Sequence, residues 1–251
     1  MRASAPAPKR ARKSRGLRGY FHRANLLTSL ILVFPLFIAY ELAVLLLPDV
    51  GNGADLVTSR LFALLGGSRG NYLLFNLALL AAFVLALLVL RRKQGFDVRL
   101  FVPVVLESGV YALTMGSAIL YVMNAIGINP ALAVAAPIAK AGALTKVALA
   151  LGAGVHEELV FRLLLLSALV ALFNKGFGAS RFVAVAAAFL ISSILFSAAH
   201  HVIGGEPFRI GAFTYRVFCG LFFAALFQFR GFAVAVYTHA LYDIWVMLMG
   251  S

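Results

Sequence analysis

Gly154-Val155-His156-Glu157-Glu158-Leu159-Val160-Phe161-Arg162 sets two carboxylates, an imidazole and a guanidinium into a run that is otherwise apolar as far as Phe173. Four of the six residues after Arg162 are leucine, and the thirty residues before His156 hold no acid. A charged side chain at the centre of a bilayer-spanning helix costs roughly 2.5–3.5 kcal/mol on insertion scales. Left uncompensated, Glu157, Glu158 and Arg162 would together cost on the order of 8–10 kcal/mol. Such a cluster persists only if its members pair or line a wet cavity, so the stretch reads as a functional site inside a membrane helix.

Composition agrees. Of the 251 residues 63% are hydrophobic and 12% charged, where a soluble domain carries about 25% charged residues. The expectation is therefore an all-α, polytopic transmembrane bundle of about 7–8 spanning helices. The formal net charge of +13 does not point to nucleic acid, because the basic residues gather in the N-terminal tail and short loops, where lipid headgroups and the positive-inside rule account for them. The one cysteine, Cys219, allows no internal disulfide.

Outward from the quoted stretch, the chain divides into three parts. Residues 1–25, with eight Lys/Arg and no acid, read as a disordered basic cytoplasmic arm. Residues 26–145 hold the N-terminal transmembrane helices: 26–47, too long for a signal-peptide core, then 71–90 and 100–126. Residues 131–144 are apolar but carry Pro137 and Lys140, and read either as a re-entrant segment or as an extra short span. Residues 146–251 hold the polar cluster in spans near 146–173, 182–203, 210–229 and 232–249. The tail, the 91–99 and 174–181 loops and Arg230 carry 15 of the 22 Lys/Arg and share one face if 131–144 does not cross. That face is expected to be cytoplasmic. An excess of Arg over Lys, with Ala and Leu dominant, suggests a GC-rich bacterial source, hence a multi-pass protein of a bacterial inner membrane with its N-terminus in the cytoplasm.

The chemistry is sparse. Outside the tail the histidines are His156, His200, His201 and His239, and Glu157, Glu158 and Asp243 are the acids well inside late spans. Three late helices thus each supply an i,i+4 pairing: Glu158 with Arg162, Phe196 with His200, and His239 with Asp243. Glu158 ahead of Arg162 is the favourable order for a helical ion pair. Glu157 lies about 100° round the helix from Glu158 and needs its own partner. A poorly hydrated carboxylate can serve as a general base near neutral pH, with an imidazole opposite holding a water between them. Asp243 can orient His239 and fix its tautomer, leaving the other ring nitrogen to donate to an oxyanion. These are the parts for attack of water on an amide. Phe196, His156 and His201 read as neighbours rather than participants. Glu41 and Glu107 read either as acids lining the cavity or as partners of Lys140 or Lys146, the structural role being preferred.

The ordered set Glu157-Glu158-x-x-x-Arg162, Phe196-x-x-x-His200 and His239-x-x-x-Asp243 resembles the three motifs of the CPBP family, the CAAX proteases and bacteriocin-processing enzymes also called the Abi family. The resemblance covers roughly residues 147–249. It implies a water-activating glutamate at Glu157 with His200 as its partner, an organising acid and arginine at Glu158 and Arg162, and an oxyanion histidine at His239. Asp243 stands where the eukaryotic CAAX endoproteases carry asparagine. An ionised Asp cannot donate a hydrogen bond, so orienting His239 is its expected role.

His156-Glu157-Glu158-Leu159-Val160 begins like HExxH but has Val at its fifth position, so the helical two-histidine zinc motif is absent. Glu157, His200 and His239 together are still a His₂Glu set of the kind catalytic zinc uses. The reading taken is a metal-free glutamate mechanism with no cofactor. It makes the chain an intramembrane endopeptidase acting on a membrane-delivered protein or peptide. A bacteriocin-immunity or transport protein using the same polar cluster to bind is the alternative from another class.

Overall fold

A computed structural model describes residues 25–47, 64–129, 141–202 and 207–249. All regular structure among them is helical, and seven helices are long and apolar enough to cross a bilayer. They are α1 (Leu26–Leu46), α2 (Arg69–Arg91), α3 (Phe101–Ala125), α4 (Ala143–Gly176), α5 (Arg181–Val202), α6 (Ile210–Phe229) and α7 (Phe232–Met249). The basic arm at 1–24 and most of the ambiguous 131–144 segment lie outside the described residues.

Each boundary has a local cause. The Asn25 side chain accepts from the Thr28 amide and caps α1. Ser68 does the same for α2 through the Asn71 amide. Gly231, at φ 104°, makes the tight turn between α6 and α7 in a conformation open to glycine. The 34 residues of α4 exceed the roughly 20 that a bilayer requires. Within it, Leu159–Leu166 and Leu172–Gly176 are wound as π-helix rather than α-helix. π turns are rare and gather at functional sites. The first begins directly after Glu158.

α7 is the central helix, with Phe232 to Ala240 buried throughout. It packs on α4 at Gly154, where an added Cβ would lie 2.8 Å from the Ala240 backbone nitrogen. Gly220 makes a similar approach between α6 and α5, where a Cβ would lie 2.9 Å from Ser193 Cα. Small residues at such crossings let membrane helices pack backbone to backbone. Gly154→Ala is therefore expected to cost about 1–3 kcal/mol by overpacking, read as a lower unfolding temperature in detergent. Ala240→Gly, which removes one of the atoms in the way, should recover part of that loss. An unchanged unfolding temperature for Gly154→Ala would show the α4–α7 contact to be looser than described.

Polar contacts fix which helix ends share a face. The Leu27 amide donates to Gln94 Oε1 at 3.0 Å and Asn25 Nδ2 to the Gly95 carbonyl at 2.9 Å, joining the start of α1 to the end of α2. Ser108 Oγ donates to the Val234 carbonyl at 3.3 Å, so α3 and α7 begin on the same side. Glu107 forms a two-pronged ion pair with Arg230, at 2.5 and 2.8 Å, between the first half of α3 and the end of α6. Tyr111 also donates to Glu107, at 3.0 Å. The partner of Glu107 is thus Arg230, not one of the lysines the sequence suggested. α1 and α4 run antiparallel, Phe37 and Tyr40 meeting His156 while Val44 and Leu47 pack beside Ala148 and Leu149. The end of α3 and the start of α4, on either side of residues 130–140, therefore lie on one face.

Candidate active site

α4 carries Glu157 and Glu158 into the bundle, α5 brings His200 near its end, and α7 brings His239 and Asp243. Glu157 Oε2 lies 3.8 Å from His200 Nε2 and 3.9 Å from His239 Nε2. Glu158 Oε1 accepts from His239 Nδ1 at 2.8 Å and sits 3.0 Å from Arg162 Nη1. Asp243 Oδ2 is 3.5 Å from His239 Nε2. The structure thus brings together all six residues singled out by the sequence: Glu157, Glu158, Arg162, His200, His239 and Asp243.

Glu158 and Arg162 are 0% and 1% exposed, and each has partners beyond the other. The Arg162 guanidinium lies 4.4 Å from the centre of the Phe196 ring and 5.3 Å from that of Phe223, and donates to the Gly220 carbonyl at 3.3 Å. A weakly hydrated planar cation between aromatic faces is a low-cost way to bury charge. Phe223 also stacks on His239, with centroids 4.4 Å apart and planes 13° from parallel. Phe196 edges against both His200 and His239, which agrees with its reading as packing.

Two tautomers follow from the acceptors. His200 Nδ1 lies 2.9 Å from the Phe196 carbonyl. A carbonyl can only accept, so Nδ1 carries the proton and Nε2 of the neutral ring faces Glu157 as an acceptor. An ionised Glu158 likewise only accepts, which puts a proton on His239 Nδ1. The pairing of His239 with Asp243 read from their spacing is present, and a second carboxylate joins it. The nearer carboxylate to His239 is Glu158, on another helix, and Asp243 approaches the opposite nitrogen. Helical spacing ties Asp243 to His239 but says nothing of a helix packed alongside.

His156 faces away from this group. Its Nδ1 lies 3.0 Å from the Gly152 carbonyl and its Nε2 3.7 Å from Glu41 Oε1. Glu41 in turn accepts from Tyr72 at 2.9 Å, in place of the lysine partner expected. His201 packs against Phe208 and Phe213 at the end of α5, and Trp245 is half exposed on α7. Phe223, Gly220, Gly154 and Tyr72 had no motif to announce them. The one available signal was a glycine interrupting an apolar helix, at Gly154 and Gly220, which marks close backbone approach.

Among the described residues no three His, Cys, Asp or Glu side chains are grouped to hold a metal ion. Donors sharing one tetrahedral zinc at about 2.0–2.1 Å stand about 3.3 Å apart, closer than Glu157 is to either imidazole.

Neither the curated proteins nor the solved structures include a match to this chain. Residues 140–245, which span α4 to α7 and hold all six of these side chains, match the family model described as type II CAAX prenyl endopeptidase Rce1-like, the family of membrane proteases that the three motifs resemble.

Proposed function

We propose that the protein is an intramembrane endopeptidase that hydrolyses a peptide bond by direct attack of a water held between Glu157 and His200. The observation that carries the reading is the approach of Glu157 Oε2 to His200 Nε2 at 3.8 Å. Both atoms are acceptors in the neutral-histidine form. At such a separation a bridging water is the natural occupant, donating one O–H to each and leaving its lone pairs for a carbonyl carbon. As the water oxygen bonds to that carbon, Glu157 takes the proton. The carbonyl oxygen gains negative charge, the C–N bond then breaks, and the proton passes to the leaving amine.

His239 is the stabiliser of the oxyanion. Held by Glu158 through Nδ1, it donates through Nε2 when the ring is an imidazolium, and a preorganised donor of this kind contributes about 10²–10³ in rate. Arg162 offsets the charge of Glu158. Asp243, 3.5 Å from the same Nε2, holds that nitrogen in place until the substrate oxygen takes over. No cofactor enters this scheme. Zinc-dependent hydrolysis by the same residues would stop under stringent chelation, and the glutamate mechanism would continue.

The substrate class is a membrane-associated protein or peptide, since the reacting groups lie among bilayer-spanning helices. The face bearing the end of α2, the start of α3 and Arg230 is cytoplasmic by its basic residues, which puts the N-terminus in the cytoplasm, as in a bacterial inner membrane. Comparison of protein termini between wild-type cells and cells carrying Glu157→Ala tests the activity. New termini present only in the wild type are expected, clustered near membrane segments or chain ends. Identical termini in both would sink the protease reading and favour a binding role.

A further inference from the structure

The family match begins at residue 140 and leaves α1 and α2 without a role. α1 reaches α4 next to the proposed base, and α2 is tied to that contact through α1. Glu41 of α1 and Tyr72 of α2 are buried, 8% and 2% exposed. Tyr72 donates to Glu41 Oε2 at 2.9 Å, and Glu41 Oε1 lies 3.7 Å from Nε2 of His156, the residue before Glu157. His156 is caged edge-on by Tyr40 and Phe37, with ring centroids 5.1 and 5.9 Å away. Tyr40 fits this place because residue 152 is glycine, where a Cβ would lie 2.2 Å from the tyrosine ring.

Successive residues of a helix point about 100° apart, so α4 is gripped in three directions at one level. His156 meets α1, Glu157 meets α5 and α7, and Glu158 meets α7. Two of these grips are part of the site and the third is not. A carboxylate about 6 Å from a helix axis moves about 1 Å when the helix turns by 10°. A displacement of about 1 Å at a reacting group can cost about 100-fold in rate. The rotation of α4 about its axis is thus a variable that hydrolysis feels, and the face turned from the site is where Glu41 holds it.

We propose that Glu41, Tyr72 and His156 form a positioning site in which the first two helices set the rotation of α4 and so the place of the Glu157 carboxylate. The proposal rests on the reading of Glu157 as the base, and its test includes one arm that does not. The full chain in lipid nanodiscs, as Glu41→Ala and as the milder Tyr72→Phe, is assayed with a farnesylated CAAX peptide as probe. Labelling of Glu157 by dicyclohexylcarbodiimide is followed in parallel by peptide mass spectrometry.

For Glu41→Ala the expectation is a fall in kcat of up to about 100-fold with KM unchanged, and a severalfold change in the rate of Glu157 labelling in folded protein. Tyr72→Phe should move both in the same direction by less. Activity falling only in step with the loss of folded protein would overturn the proposal, as would Glu157 labelling that both variants leave at the wild-type rate. If Glu157→Gln hydrolyses the probe as the wild type does, the reading of Glu157 as the base fails, and the labelling arm still decides whether α1 and α2 position that carboxylate.

Discussion

Replacing Glu157 by Gln is expected to lower hydrolysis by about 100- to 10,000-fold, the range that a positioned general base contributes, while leaving the fold intact. The substitution keeps the shape of the side chain, so helix packing around α4 is not disturbed. An amide cannot take a proton from water near neutral pH, and its NH₂ would donate to His200 Nε2, occupying the acceptor that would otherwise share the water. Stability should stay level or rise, because a carboxylate 4% exposed becomes neutral and its desolvation cost disappears. Gain of stability with loss of function is the usual signature of a group kept for chemistry. The measurement pairs initial rates on a membrane-anchored peptide with thermal unfolding in the same detergent. Full activity of Glu157→Gln would remove the base from the mechanism. A variant that is inactive because it is unfolded would make Glu157 a packing residue.

Much of this was legible before the structure, for physical reasons. Hydropathy placed α6 and α7 at their observed limits and the other spans within a few residues, because the bilayer penalises charge so strongly that the few tolerated ionisable groups stand out. For the same reason the ionisable residues of the late helices stand out by type and spacing, and the family resemblance selects six of them. What the chain does not announce is contact between helices. Glu158 reads as the partner of Arg162, four residues on, and that pair forms at 3.0 Å. Its second bond, to His239 on α7, depends on Gly154 letting α4 and α7 meet, and a single glycine in an apolar run does not say which helix it faces. From the sequence Glu107 and Glu41 line the cavity or pair with Lys140 or Lys146, whereas in the structure Glu107 pairs with Arg230 and Glu41 meets Tyr72 and His156, each on a helix that the sequence does not point to. The π-helical turn after Glu158 was equally hidden, since the leucines that follow suit α and π winding alike.

The largest effect on stability is expected at Arg162. Replacing it by Met keeps most of the side-chain length but leaves Glu158, 0% exposed, without its cation, and leaves the Gly220 carbonyl without this donor. Removing one partner of a buried ion pair costs about 3–5 kcal/mol, because the other charge remains desolvated and uncompensated. That is enough to deplete folded protein in the membrane. Arg162→Lys should fall short of rescue, since an ammonium reproduces neither the fork that spans Glu158 and Gly220 nor the flat stacking between Phe196 and Phe223. Adding Glu158→Gln to Arg162→Met removes the stranded charge, and most of the lost stability should return, as a neutral pair of similar volume replaces a buried ionic one. Activity should not return with it. His239 would then lean on an amide that can donate as well as accept, its tautomer would no longer be fixed, and in a serine-protease triad the equivalent carboxylate-to-amide change drops kcat by about 10⁴. The double variant therefore separates two roles of one side chain. If it regains both folding and hydrolysis, Glu158 and Arg162 only hold helices together. If it folds and stays inactive, the carboxylate of Glu158 orients the imidazole on which the oxyanion depends.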